Sequence, residues 1–150
     1  MPLTRRDWLA LFIAFEGAPG GLDPVRLQKG MFLFRMEAKV PETQKYSFRP
    51  YNYGPMSAGI YSDLDALVEE GAVKTVPVEG QSWSLYQVTG NGIQDAHVII
   101  EAAAAEHEDA VKHLFQIKQS VAGMTFAELL EDVYDRYPDY ATASVFRRRA

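Results

Sequence analysis

The sequence contains no cysteine, which excludes disulfides, thiolate metal sites and thiol catalysis. No apolar run approaches the roughly 18 residues that a membrane-spanning helix needs. The start lacks the apolar stretch of a secretory signal, so the expectation is a cytoplasmic protein that does not enter a membrane. Also missing are the GxSxG, HExxH, P-loop and GxGxxG patterns that announce common hydrolytic, zinc, nucleotide and dinucleotide chemistry. No internal repeat or low-complexity segment interrupts the chain. What remains is 47% hydrophobic and 23% charged over 150 residues, the profile of one globular domain with a real core.

Positive charge is scarce where it would matter most for nucleic acid. The net charge is −5. Residues 1–50 hold eight Lys and Arg against five Asp and Glu, and residues 51–150 hold seven against fifteen. Phosphate neutralisation supplies most non-specific nucleic-acid affinity, so only the first third offers a basic face.

The stretch Tyr46–Gly71 organises the reading. Phe48, Tyr51 and Tyr53 alternate with Arg49 and Asn52 as in a short strand or extended arm. Gly54-Pro55 is predicted to turn the chain, and Ser57 to cap a third helix whose inner face is Ile60, Leu64, Leu67 and Val68. Gly71 supplies the left-handed stop. Val73–Val78 and Trp83–Val88 then read as a ribbon with Pro77 on an edge, closed by Thr89–Gly92.

Upstream, Thr4–Asp7 resembles a capping box that starts a first helix over residues 5–16, with Trp8, Leu9, Leu11, Phe12 and Phe15 as its apolar stripe. Asp23-Pro24 starts a second helix running to about Lys39. Leu27, Met31, Phe32 and Phe34 are expected inside it, with Arg26, Lys29, Arg35 and Lys39 outside. Downstream, Ile93, Ala96, Ile100, Ala103, His107, Ala110, Leu114, Ile117 and Val121 recur at threes and fours, a heptad-like seam. That seam needs a partner, either the chain's own first helix or a second subunit in a homodimer. A break near Glu106–Asp109 divides it in one version of this reading. Thr125–Glu128 is a second capping box, opening a last helix that Tyr137-Pro138 ends; Arg147, Arg148 and Arg149 form a basic tail.

The expected fold is therefore mainly α with a small β component. A winged helix-turn-helix core with a two-stranded wing occupies residues 1–92 of one domain, and additional C-terminal helices occupy 93–150. LDALVEEGAV, the ribbon and LYQVTGNG resemble the helix–wing pattern of bacterial winged-helix regulators. Leu27-Gln28-Lys29, Tyr53-Gly54-Pro55, Tyr61 and the Leu64/Leu67 pair before Gly71 resemble, more narrowly, the Panacea domain of antitoxin SocA-like and phage-associated proteins. That resemblance spans roughly residues 8–90 and implies a small regulatory or antitoxin-type protein with a toxin or regulatory partner and no catalytic residues.

Two binding modes remain open from the residues. Reading DNA asks the third helix for Arg, Lys, Asn or Gln, yet its outer face offers Ser57, Ala58, Tyr61, Ser62, Asp65, Glu69 and Glu70. Each acid facing a phosphate-lined groove costs about 1 kcal/mol. A DNA-binding regulator would instead draw on Arg5, Arg6, Arg26, Lys29 and Arg147–Arg149. A protein partner is favoured, with Arg49, Tyr51, Tyr53, Tyr61, Asp65 and Glu69 as contact candidates, because Tyr, Trp and Arg carry binding energy at interfaces. The alternative use of Tyr51 and Tyr53 is to pin the extended arm by packing. If a homodimer forms, Ile93, Ile100, His107, Leu114 and Ile117 are the seam candidates.

Neither a cofactor nor a metal is expected. Asp63, Asp65, Glu69 and Glu70 lack the loop carbonyls of a Ca²⁺ or Mg²⁺ site. His97, His107 and His113 do not follow the i,i+4 spacing of a helical chelate.

Overall fold

A computed structural model of the protein describes residues 3–146. It is mainly helical, with two separate two-stranded antiparallel sheets. Helix α1 (Arg5–Ala14) begins at the Thr4–Asp7 capping box, in which each residue's side chain accepts from the other's backbone N–H. Helix α2 (Pro24–Glu37) begins at Asp23 with Pro at its first position. Both stop two residues earlier than the sequence pattern suggests. Phe15 and Ala38 leave the helical backbone there, both still packed on the core.

Strands β1 (Arg49–Tyr51) and β2 (Gly54–Met56) form a tight hairpin, pairing Tyr51 with Gly54 and Arg49 with Met56. The turn is therefore Asn52-Tyr53, and Gly54-Pro55 lies in the second strand, contrary to expectation. Pro50 faces Pro55 across this ladder, a placement prolines tolerate in a sheet whose outer edges are free. Gly54 has φ +91°, and a Cβ there would stand 2.8 Å from the Tyr134 ring.

Helix α3 (Ala58–Glu69) buries Ile60, Leu64 and Leu67, with Val68 half-buried against the same core. It ends in a Schellman motif: Gly71 at φ +82° donates to Val68 O and Ala72 donates to Leu67 O. Strands β3 (Val73–Pro77) and β4 (Ser84–Val88) follow as the expected ribbon. An additional bridge joins it to the start of the chain, where Leu22 and Tyr86 exchange backbone hydrogen bonds of 2.9 Å.

Thr89 caps α4 (Gly90–Ala103) instead of closing the ribbon, so Gly90–Gly92 form the first helical turn. The heptad-like pattern is broken at 104–107. A second helix, α5 (Glu108–Gly123), starts there with Glu108 and Asp109 in its first turn, where the helix dipole favours acids. Leu114 and Ile117 are buried in the chain's own core, and His107, at the α5 N-cap, sets its ring 6.3 Å from that of Trp8. The seam positions therefore divide between α4 and α5 and do not form one continuous helical stripe. Of the proposed dimer residues, Ile93 is exposed and Ile100 half-buried in an apolar groove with Phe15 and Phe115, and His107 is half-buried. Helix α6 (Phe126–Arg136) starts at the predicted Thr125–Glu128 capping box and ends at Tyr137. One hydrophobic cluster runs through all six helices. No helix among the described residues is long and apolar enough to cross a membrane.

Two cations hold helix ends together. Lys118 on α5 is almost wholly buried and donates to Phe12 O at 2.7 Å, Ile13 O at 3.1 Å and Phe15 O at 2.6 Å, the carbonyls left over at the end of α1. Arg26 on α2 does the same for α5, reaching Val121 O at 3.3 Å and Met124 O at 2.6 Å while paired to Asp23. Replacing Lys118 leaves three carbonyls without their donor. Lys118→Met is expected to lower stability by about 2–4 kcal/mol in urea unfolding. Lys112→Met, whose side chain is exposed on the same helix beside Glu108, is expected to stay within about 0.5 kcal/mol of the parent.

Candidate functional site

The side of the molecule where α2 begins, the β1–β2 hairpin turns and α3 crosses the ribbon carries a concentration of aromatic side chains. Its shape depends on two residues of α2 that point inward. Gln28 is buried and holds both backbone polar groups of Ser57: its Oε1 accepts from Ser57 N–H at 2.8 Å and its Nε2 donates to Ser57 O at 3.0 Å. The Ser57 side chain makes no capping bond, so α3 is started by a neighbouring helix's amide and not, as expected, by its own N-cap serine. Lys29, expected outside, is 3% exposed and donates to Pro55 O at 3.0 Å. The two side chains thus clamp the backbone of residues 55–57. A buried carbonyl left without a donor costs about 1–3 kcal/mol, so each bond fixes the hairpin against α2.

With the backbone held, the rings converge. A groove of about 800 Å³ is lined by Tyr53, Tyr61, Trp83, Tyr86 and Phe126, with Asp23, Arg26, Thr75, Ser82 and Ser84 among its polar edges. Tyr53, Tyr61, Trp83 and Phe126 are each about two-fifths exposed, unusual for rings of this size in one place. Tyr53 packs edge-on to Phe126 at 5.6 Å. A smaller cavity of about 250 Å³ adjoins it, sharing Pro24, Val25, Tyr53 and Tyr61 and adding Gln28, Lys29, Tyr51, Gly54 and Met56.

The titrating groups are shifted by burial. Desolvation pushes Lys29 down to about 7, with Asp23 opposing the shift. Desolvation also raises the Tyr61 and Tyr86 hydroxyls; at Tyr61 the Gln28 amide acts the other way, and at Tyr86 Asp65 adds to the rise. Tyr46, buried beneath α3, donates to Asp63 at 2.6 Å and is raised first by burial and then by that carboxylate.

Of the interface candidates, the structure brings Tyr51, Tyr53 and Tyr61 together around the two cavities. Arg49 lies 4.9 Å over the Tyr51 ring, and Asp65 stands near Tyr86. Glu69 is exposed further along α3, outside the groove lining. The nucleic-acid candidates among the described residues are not assembled into a face. Arg5 pairs with Asp63 at 3.4 Å and covers the Tyr46 ring, Arg6 pairs with Glu70 at 3.3 Å, and Arg26 and Lys29 are turned inward. Arg147, Arg148 and Arg149 lie outside the described residues. Among the described residues no group of His, Asp or Glu is arranged to hold a metal ion.

Phe126 and the inward Gln28 and Lys29 escaped the sequence reading. Phe126 had a weak signal, an aromatic ring at the first helical position after a capping Thr, where a core partner is rarely in reach. No protein-family model matches this chain, and no curated protein matches it either.

The buried lysine gives the protein a pH signature. Lysine in the unfolded chain stays protonated to about pH 10.5, whereas Lys29 releases its proton near 7. Between those values the unfolded state holds more protons, so stability climbs as pH rises. Lys118, pushed down to about 8 by burial, adds in the same direction from that pH upward. Urea unfolding is expected to show stability gained by about 1–3 kcal/mol from pH 7 to pH 9.5, and Lys29→Met is expected to remove the larger part of that gain.

Proposed function

We propose that this chain is a non-enzymatic binding protein of the Panacea-like, antitoxin or regulatory kind, and that its aromatic groove receives a segment of a protein partner. The observation that carries this reading is the convergence of Tyr53, Tyr61, Trp83 and Phe126, all partly exposed, on one groove whose polar edge is short and whose walls are fixed by Gln28 and Lys29. Rigid aromatic rings around a concave centre are what concentrates binding energy at protein interfaces. The motifs behind the family resemblance have a common physical role, since Gln28 and Lys29 of Leu27-Gln28-Lys29 bond to the backbone beside Tyr53-Gly54-Pro55.

The winged-helix reading is supported by element order: helix, single bridging residue, helix, helix, ribbon, with Leu22 paired to the last ribbon strand. The added β1–β2 hairpin precedes the third helix. In such a frame α3 has the place of a recognition helix, but its outward side carries Tyr61, Ser62, Asp65 and Glu69. Arg5 and Arg6 are spent tying α1 to α3. A phosphate backbone would meet acids there, which favours protein over DNA.

The product of the adjoining gene is the partner to try first, because antitoxins are encoded beside their toxins. The tagged chain is expected to co-purify with it. The double variant Tyr61→Arg/Asp65→Arg, with its helical circular dichroism retained, is expected to lose about 10- to 100-fold in affinity. Undiminished recovery by the variant would sink the reading. Specific, steeply salt-dependent retention of the neighbouring promoter in a mobility-shift assay would move the assignment to DNA.

A further inference from the structure

The small cavity beside the aromatic groove contains a feature that packing alone does not require. Lys29 carries three N–H donors, and one is committed to Pro55 O. Its side chain is buried, yet it lines a cavity of about 250 Å³ together with the tyrosine side chains of residues 51, 53 and 61. No Asp or Glu lines that cavity. The carboxylate that acts on Lys29 from nearby, Asp23, is already bonded to the Arg26 side chain and backbone. A buried lysine with donors to spare and no dedicated counter-ion keeps its charge only at a cost, which an anion brought to it would offset. The contrast within this protein is Lys118, also buried, whose three donors each have a carbonyl.

We propose that the Lys29 cavity binds a carboxylate, and that its natural source is the C-terminal carboxylate of a protein chain lying in the aromatic groove. The inference rests on the partner-binding reading for the source of the ligand, and on Lys29 and the cavity for its chemistry. The cavity is of single-residue size, smaller than the 300 Å³ or so at which ordinary small-molecule sites begin. It shares Pro24, Val25, Tyr53 and Tyr61 with the groove, so the two spaces adjoin at those residues. The groove's own lining holds one cation, Arg26, already engaged by Asp23, Val121 O and Met124 O, whereas Lys29 in the cavity has donors to spare. An extended chain would therefore enter with its terminus toward Lys29. Pro24, Val25 and Met56 offer apolar contact to the last side chain, and Tyr51 and Tyr53 line the same cavity.

The test uses the full chain and three small probes followed by heteronuclear NMR, with the Lys29 side-chain resonances as reporter. N-acetylphenylalanine presents a chain-end carboxylate, its amide presents none, and N-acetylglutamate α-methylamide presents a side-chain carboxylate. The acid is expected to bind at least ten-fold more tightly than the amide and to raise the Lys29 titration midpoint. Lys29→Met is expected to abolish the preference. Equal binding of acid and amide, or a preference that survives in Lys29→Met, would overturn the carboxylate site. Equal binding of the glutamate probe would overturn the chain-end assignment. If Lys29→Met does not fold, the comparison of acid with amide on the parent protein decides alone. Continued co-purification of a protein partner alongside a failed carboxylate test would leave the groove reading standing and remove only this one.

Discussion

The hydrogen bonds from Gln28 and Lys29 to the backbone of residues 55–57 are the constraint on which the rest of this surface depends. An amide side chain can satisfy a donor and an acceptor of one peptide strand at once, which makes Gln28 behave like a short piece of sheet projecting from a helix. Because Gln28 and Lys29 are adjacent on α2, they fix both the position of β2 and the direction in which α3 leaves it. The Tyr51–Tyr53 turn lies just before the clamped segment and Tyr61 one turn of helix after it. Their mutual arrangement is thus set by buried bonds, not by contacts among the exposed rings. A surface built this way can hold large rings partly in water without their collapsing onto each other.

Charge is distributed by the same economy. The first third of the chain has an excess of Lys and Arg, but most of it is used internally. Arg26 covers the end of α5, Lys29 grips β2, and Arg35 bonds to Tyr46 O at 2.9 Å and to Glu42. Arg5 offsets Asp63 on α3, and Arg6 offsets Glu70 at its C-terminal end. Lys118 from the acidic part of the chain repeats the pattern at α1. Cations at helix C-termini complement the dipole and satisfy leftover carbonyls, so their positive charge is largely absorbed by the fold. Sequence-level charge excess does not by itself make a basic surface.

Which parts were legible in the sequence follows from the range of the interactions that decide them. Both capping boxes, the Asp23-Pro24 start and the Gly71 stop are settled within four or five residues and read correctly. The ribbon is equally local. Lys29 reads as solvated because its partner is 26 residues away and a lysine on a helix is normally exposed. Lys118 gives no local signal for the same reason, with partners more than 100 residues distant. Gly54-Pro55 carries the composition of a turn, but its positive φ serves close approach to Tyr134 while Asn52-Tyr53 makes the reversal. Of the Ile93–Val121 pattern, the α5 positions Ala110, Leu114, Ile117 and Val121 are all buried, whereas in α4 Ala96 and Ala103 are buried, Ile100 is half-buried and Ile93 is exposed. Periodicity does not reveal that α4 and α5 use it against different parts of one core. The aromatic residues were visible as a set, but Phe126 joins them only through the tertiary fold.

Amide hydrogen exchange at Ser57 tests the clamp most directly. Its N–H donates to a side chain and not to a backbone ladder, so its protection depends on Gln28 alone. In the parent protein the Ser57 amide is expected to exchange as slowly as core amides of α3 such as Leu64. In Gln28→Leu it is expected to exchange about 10- to 100-fold faster, with Leu64 less affected. A Ser57 amide that exchanges freely in the parent, or that keeps its protection without Gln28, would contradict the account.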